Sequence, residues 1–129
     1  MTRDAMTAGR SLRLIPRALV DVLAERARQD AKWGQQDHPD GTGPGTVILG
    51  SYADSMAERA KWRTERSATL GTVTFEEILT EEWAEAVAED DPVKLRAELV
   101  QVAAVAVQWV EAIDRRIAGA AAPTRGDGS

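Results

Sequence analysis

Apolar residues recur at helical spacing in four blocks, and polar or helix-breaking residues separate them. Leu19, Val22 and Leu23 follow Pro16, which suits a first helical turn, and the spacing predicts a helix over 16–33. The stretch "GQQDHPDGTGPG" (34–45) is rich in breakers and predicts a loop. A polar second helix follows over 51–68, with Ser51 placed to cap it. The string "TFEE" opens the third helix, 74–89, as a capping box: Thr74 and Glu77 each satisfy a backbone donor of the other. Asp90-Asp91-Pro92 is a stop and a restart, with Asp91 as cap and Pro92 in the first helical position. The fourth helix runs over 92–118, and Gln101 is the only polar residue between Leu99 and Val107. That helix is expected to be buried on nearly all sides. The expected fold is all-α: a four-helix, bundle-like domain over 16–118 whose third and fourth helices form an antiparallel hairpin. A flexible lead-in (1–15) and a disordered tail (119–129) flank it. The tail holds Arg125-Gly126-Asp127, an adhesion tripeptide that is given no weight in an unconstrained segment.

Three carboxylates interrupt this pattern. Phe75, Ile78, Leu79 and Ala86 define the stripe of the third helix at roughly 100° per residue. Glu82 falls near its centre, and Glu85 and Glu89 on one shoulder, while Glu76, Glu77 and Glu81 point towards water. On the fourth helix Leu95, Leu99, Val102, Ala106, Trp109, Val110 and Ile113 form the stripe, and Glu98 lies on its margin. Glu85 and Glu98 lie about equally far from Asp91, ~9–10 Å at ~1.5 Å per residue, and Glu82 and Gln101 lie ~14–15 Å away. Each pair, 82/85 and 98/101, is spaced i,i+3 and shares a face. An antiparallel hairpin therefore brings Glu82, Glu85, Glu98 and Gln101 together as an all-oxygen set suited to Mg²⁺ or Mn²⁺. The plainer alternative is that each Glu sits at a stripe edge and reaches solvent or a Lys or Arg partner.

Composition narrows the classes. The chain has 129 residues, enough for one modest core. It has no cysteine, which removes disulfides, thiolate metal sites and cysteine nucleophiles. The net charge of −5 disfavours general nucleic-acid binding but leaves room for a small phosphorylated ligand beside a cation. The longest apolar run, around Val102–Val107, is too short to span a bilayer, and the N-terminus lacks a signal-peptide core. A soluble cytoplasmic protein without membrane or nucleic-acid partners is expected.

"EEWAEAVAE" followed by "AELVQVAAV" resembles the MazG-like, all-α nucleoside-triphosphate pyrophosphohydrolases, whose hallmark is EExxE, a spacer, then ExxD. Glu81, Glu82 and Glu85 match the first half, and Glu98 opens the second after a twelve-residue spacer. The likeness covers about 74–113 well. The first half, with "ERARQDAKWGQQDHPDG", is similar to small phage and actinobacterial members of the group. The resemblance implies Mg²⁺-dependent hydrolysis of a (deoxy)nucleoside triphosphate to the monophosphate and pyrophosphate. Glu82 and Glu85 would act in catalysis, and Glu82, Glu85, Glu98 and Gln101 would ligate metal. Gln101 stands where the family has Asp, and its amide oxygen brings no charge. The alternative is a weak or inactive nucleotide-binding or oligomeric module.

Further residues carry two readings each. Trp33, Gln36 and His38 form either a wall for a nucleobase or a core-capping Trp beside a solvated loop. Arg59, Lys61, Arg63 and Arg66 either contact phosphates, Lys61 foremost for the substrate, or form a solvated face. Lys94 and Arg96 point outward or make surface ion pairs. Trp62, Trp83 and Trp109 are core or subunit-interface residues. A fourth helix apolar nearly all round needs more cover than one small chain supplies, so a homodimer or tetramer is expected, with the fourth or second helix at the interface.

Overall fold

The computed structural model describes residues 15–121. It is mostly helical: α1 (Arg17–Trp33), α2 (Ala53–Leu70), α3 (Phe75–Val87) and α4 (Pro92–Ala121), with a two-strand ribbon, β1 (Val47–Ile48) and β2 (Ser51–Tyr52), before α2. The all-α expectation holds at this level. The lead-in up to residue 14 and the tail from 122, with its Arg-Gly-Asp, lie outside the described residues. The chain divides into two compact units, one holding described residues 15–37 and 110–121 and the other 38–109.

In the first unit, Pro16 precedes α1 and accepts from the amides of Leu19 and Val20. Ala18 is the only buried residue of α1. The helix is laced by i,i+3 and i,i+4 pairs on its exposed face, Arg28 to Glu25 at 2.7 Å and Arg26 to Asp30 at 2.9 Å. Gly34, at φ +66°, ends it with its N–H on the Asp30 carbonyl. The C-terminal part of α4, from Val110, belongs to this unit and extends to Ala121, beyond the expected end at 118.

The second unit begins with the loop 38–46. Gly43, buried and at φ +134°, donates its N–H to the Val87 carbonyl at 2.9 Å. This satisfies one of the last carbonyls of α3, which otherwise lack helical partners. β1 and β2 pair antiparallel, Val47 opposite Tyr52 and Ile48 opposite Ser51. Ser51 therefore does not cap α2. It lies in the ribbon, and the cap position passes to Tyr52, which makes no side-chain capping bond. α2 closes at Gly71, in the left-handed region, with the Thr72 N–H on the Ser67 carbonyl.

The closest helix packing among the described residues joins α2 to α3. Thr74 caps α3 and forms the full capping box with Glu77. Glu77 does more than cap, and it is not turned to water: it is 7% exposed. Its carboxylate accepts from Ser67 Oγ and from the Thr74 amide and hydroxyl, and Arg63 Nε lies at 3.6 Å. These donors, Ser67 first, hold the Glu77 carboxyl below the usual carboxylate range. Arg63 also pairs with Glu76. A buried acid is tolerated here because Ser67 and Thr74 donate to it and the Arg63 guanidinium lies beside it.

At the turn, Asp91 caps α4: Lys94 N–H donates to Asp91 Oδ2 at 3.0 Å, and Leu95 N–H to the Asp91 carbonyl at 2.8 Å. Glu89 Oε1 accepts from the Asp91 amide. Phe75, at the start of α3, stacks on Trp109 with ring centroids 6.0 Å apart. The apolar stripe of α4 is less covered than expected. Leu95 is its one buried residue, while Leu99 and Val110 are exposed, as is Val100 beside the stripe. Apolar periodicity states which side chains gain from cover but not what supplies it. Trp62 is likewise no core residue: it is 63% exposed, with the Arg66 guanidinium over its ring.

Candidate functional site: a three-carboxylate cluster

Glu82 and Glu85 lie one helical turn apart on α3, and Glu98 lies on the second turn of α4. The local sequence explains their presence together. The capping box fixes where α3 starts, Ala84 and Ala86 are buried beside the acids, and Asp91-Pro92 fixes the phase of α4.

One carboxylate oxygen from each of Glu82, Glu85 and Glu98 lies within 4.8 Å of the others. All three residues are half-buried. Glu82 Oε2 and Glu98 Oε2 are buried with no hydrogen-bond partner among the described residues. Burial, with the charges of Glu98 and Glu81 added, pushes the Glu82 carboxyl up. Burial also raises Glu85, joined by Glu82, Glu98 and Glu81 and opposed only by the field of Lys61. Three like charges thus face one another with two oxygens unpaired. This arrangement is unfavourable for the bare anions and favourable once a proton or a cation is shared among them. Glu77, a deeper acid, is held low because Ser67, Thr74 and Arg63 offset its burial, and Glu82 and Glu85 have no such set of donors.

The donor set is all oxygen and all carboxylate, the chemistry of a hard divalent cation such as Mg²⁺ or Mn²⁺ rather than of a metal that seeks thiolate or imidazole. The three residues fit such an ion. Gln101, the fourth expected ligand, is solvent-exposed.

The remaining expected site residues are distributed. Lys61, on α2, is exposed, and its positive charge reaches Glu85. Of the basic residues near it, Arg63 is committed to Glu76 and Glu77, and Arg66 covers Trp62. Lys94 and Arg96 are exposed, as expected. His38, in the second unit, is exposed. Trp33 and Gln36 belong to the first unit, where they line a cavity of about 660 Å³ with Arg26, Gln29, Asp30 and Gln35. Arg26 is tied there to Gln29 and Asp30, and the Lys32 ammonium sits 4.6 Å from the Trp33 ring centroid. The helical members of this lining were readable in the sequence: positions 26, 29, 30 and 33 share one helix face by their spacing.

No protein-family model, curated protein or solved structure matches the chain.

Proposed function

We propose that the protein hydrolyses a (deoxy)nucleoside triphosphate to the monophosphate and pyrophosphate in a Mg²⁺- or Mn²⁺-dependent reaction, on a MazG-type α3–α4 hairpin. One observation carries this reading: three carboxylates converge within 4.8 Å with two buried oxygens unpartnered. Glu82, Glu85 and Glu98 would hold the cation. A divalent ion on such a set supplies charge neutralisation for phosphate oxygens and makes water more acidic.

The chain's own groups supply the rest. Phosphoryl-type transfer asks for position and charge balance more than for a special nucleophile. Glu82 and Glu85 are the carboxylates assigned to orienting the attacking water and accepting its proton. Lys61, whose charge already reaches Glu85, is assigned to the phosphate chain.

A second reading is favoured by one observation. Gln101 is exposed and uncharged where the resembled family has an Asp. On that reading the chain binds a nucleotide without turnover.

The test incubates the purified protein with each common NTP and dNTP plus Mg²⁺ or Mn²⁺ and measures pyrophosphate and monophosphate. Release that stops with chelator and in Glu98→Gln is expected. No release from a chain that circular dichroism shows to be folded would sink the hydrolase reading in favour of the binding module.

A further inference from the structure

The cavity of the first unit serves none of the steps assigned to the carboxylate cluster, and its chemistry is different. Arg26, Gln29, Asp30 and Trp33 reach it from one face of α1. Gly34 then turns the chain at φ +66°, a conformation that a side chain resists, and Gln35 and Gln36 come round as the other wall. At about 660 Å³ the cavity falls within the ~300–1,000 Å³ of small-molecule sites. Most such sites are lined by apolar side chains. Here Trp33 is the one large apolar surface.

The polar groups are arranged before any ligand arrives. Arg26 Nη1 donates to Gln29 Oε1 at 2.8 Å and Nη2 to Asp30 Oδ1 at 2.9 Å. Gln35 Nε2 donates to Asp37 Oδ2 at 3.1 Å. Among the described residues these bonds leave Arg26 Nε as a donor, and Asp30 Oδ2 and the Gln35 carbonyl oxygen as acceptors. Donors and acceptors therefore stand side by side, and the charges of Arg26 and Asp30 cancel. A phosphate asks for donors only and an ammonium for acceptors only, whereas a hydroxyl is both. Neighbouring hydroxyls on a ring match a wall of this kind. The weakly positive C–H face of such a ring suits the electron-rich face of an indole. Trp33 is 58% exposed, and the Lys32 ammonium, 4.6 Å from its ring centroid, takes one face. No second aromatic ring lines the cavity. A flat nucleobase would be covered on one side only, but a sugar needs one apolar face and can keep its outer hydroxyls in water.

We propose that this cavity binds a neutral sugar ring, with Trp33 against its C–H face and Arg26, Asp30 and Gln35 on its hydroxyls. Vicinal hydroxyls are common to free saccharides and to the ribose of a nucleoside, and the test separates these sources. The inference depends neither on the carboxylate cluster nor on turnover.

The test is a titration of the full chain followed through the NMR signals of its four indole N–H groups, with the Trp33 signal assigned by Trp33→Phe. The probes are the methyl glycosides of glucose, galactose and mannose, then lactose, ribose, adenosine, uridine, free adenine, free uracil and inorganic phosphate. A saturable shift of the Trp33 signal with at least one sugar-bearing probe is expected. In Asp30→Ala its dissociation constant should rise at least about tenfold, with helical circular dichroism unchanged. Gln35→Ala, in the loop, serves the same end should Asp30→Ala disturb the helix. Saturation by glycosides or lactose assigns a free saccharide, and saturation by nucleosides but not by free bases assigns a nucleoside's sugar. A free base or phosphate that binds as tightly as any sugar-bearing probe would overturn the proposal. So would the absence of a saturable shift, or equal affinity in wild type and the cavity variants. Glu98→Gln should bind the sugar as wild type does, so this proposal and the hydrolase reading fail separately.

Discussion

Glu77 and Glu82 lie on the same short helix, and their surroundings push them in opposite directions. Glu77 is the more buried, yet Ser67, Thr74 and Arg63 supply donors, and its carboxyl is held low. Glu82 meets other carboxylates and an unpartnered burial, and its carboxyl is pushed up. The signs fix two pH windows. A group held low in the folded state adds stability above its unfolded value and loses it as pH falls, which is the case of Glu77. A group pushed up favours folding only while protonated, and that contribution disappears as pH rises through the folded value, which is the case of Glu82 and Glu85. The first prediction follows from replacing charge while keeping volume. In chelator, Glu82→Gln is expected to melt higher than wild type at neutral pH, by roughly 2–5 °C. The gap should close towards pH 4, where wild-type Glu82 is protonated as well. Thermal melts by circular dichroism across that range decide it. A variant that melts lower than wild type at neutral pH would show that the carboxylate has a partner after all.

At the scale of elements, caps carry more than periodicity does. Thr74 starts α3, and the same hydroxyl and amide serve Glu77, which connects α3 to α2 through Ser67 and Arg63. Thr74→Ala is expected to cost about 1–2 kcal/mol, the upper part of the range for a helix cap. That corresponds to a drop of roughly 5–10 °C in melting temperature. Thr74→Ser should restore most of it, and a melt unchanged in Thr74→Ala would contradict the assignment. These caps were legible because they are local: "TFEE" and "DDP" name their own geometry within four residues. Ser51 misled for a complementary reason. It has cap chemistry, but its backbone pairs with Ile48, and no Asn-Gly or Asp-Gly marks the turn between them. The second role of Glu77 was illegible because Ser67 and Arg63 reach it from another helix. The exposure of Leu99 and Val100 was illegible because a stripe records what the helix lacks, not which neighbour provides it.

Across the whole molecule, the acidic cluster gives a metal-free chain a local conflict that its net charge of −5 does nothing to relieve. The spacing of Glu82, Glu85 and Glu98 about Asp91 anticipated that conflict, because helical rise and a Pro-marked restart are read directly from sequence. The exposure of Gln101 was not, since a helix rotation of a few tens of degrees decides whether an i+3 neighbour joins its partner or faces water. A cation that binds the folded cluster and not the unfolded chain stabilises by mass action, about 2.7 kcal/mol at a hundredfold excess over its dissociation constant. For a chain of this size that is roughly 10 °C. The ligands must be deprotonated to bind, so affinity should strengthen as pH rises through the raised values of Glu82 and Glu85. The cation therefore inverts the pH trend: without it these two acids cost stability towards neutral pH, and with it they add stability over the same range. Melts with Mn²⁺ or with chelator, at mildly acidic and neutral pH, should diverge as pH increases. In Glu98→Gln the divergence should disappear, because one of the three converging oxygens no longer carries charge. Equal shifts in wild type and Glu98→Gln would place the ion elsewhere on the acidic surface and remove the cluster from consideration as a metal centre.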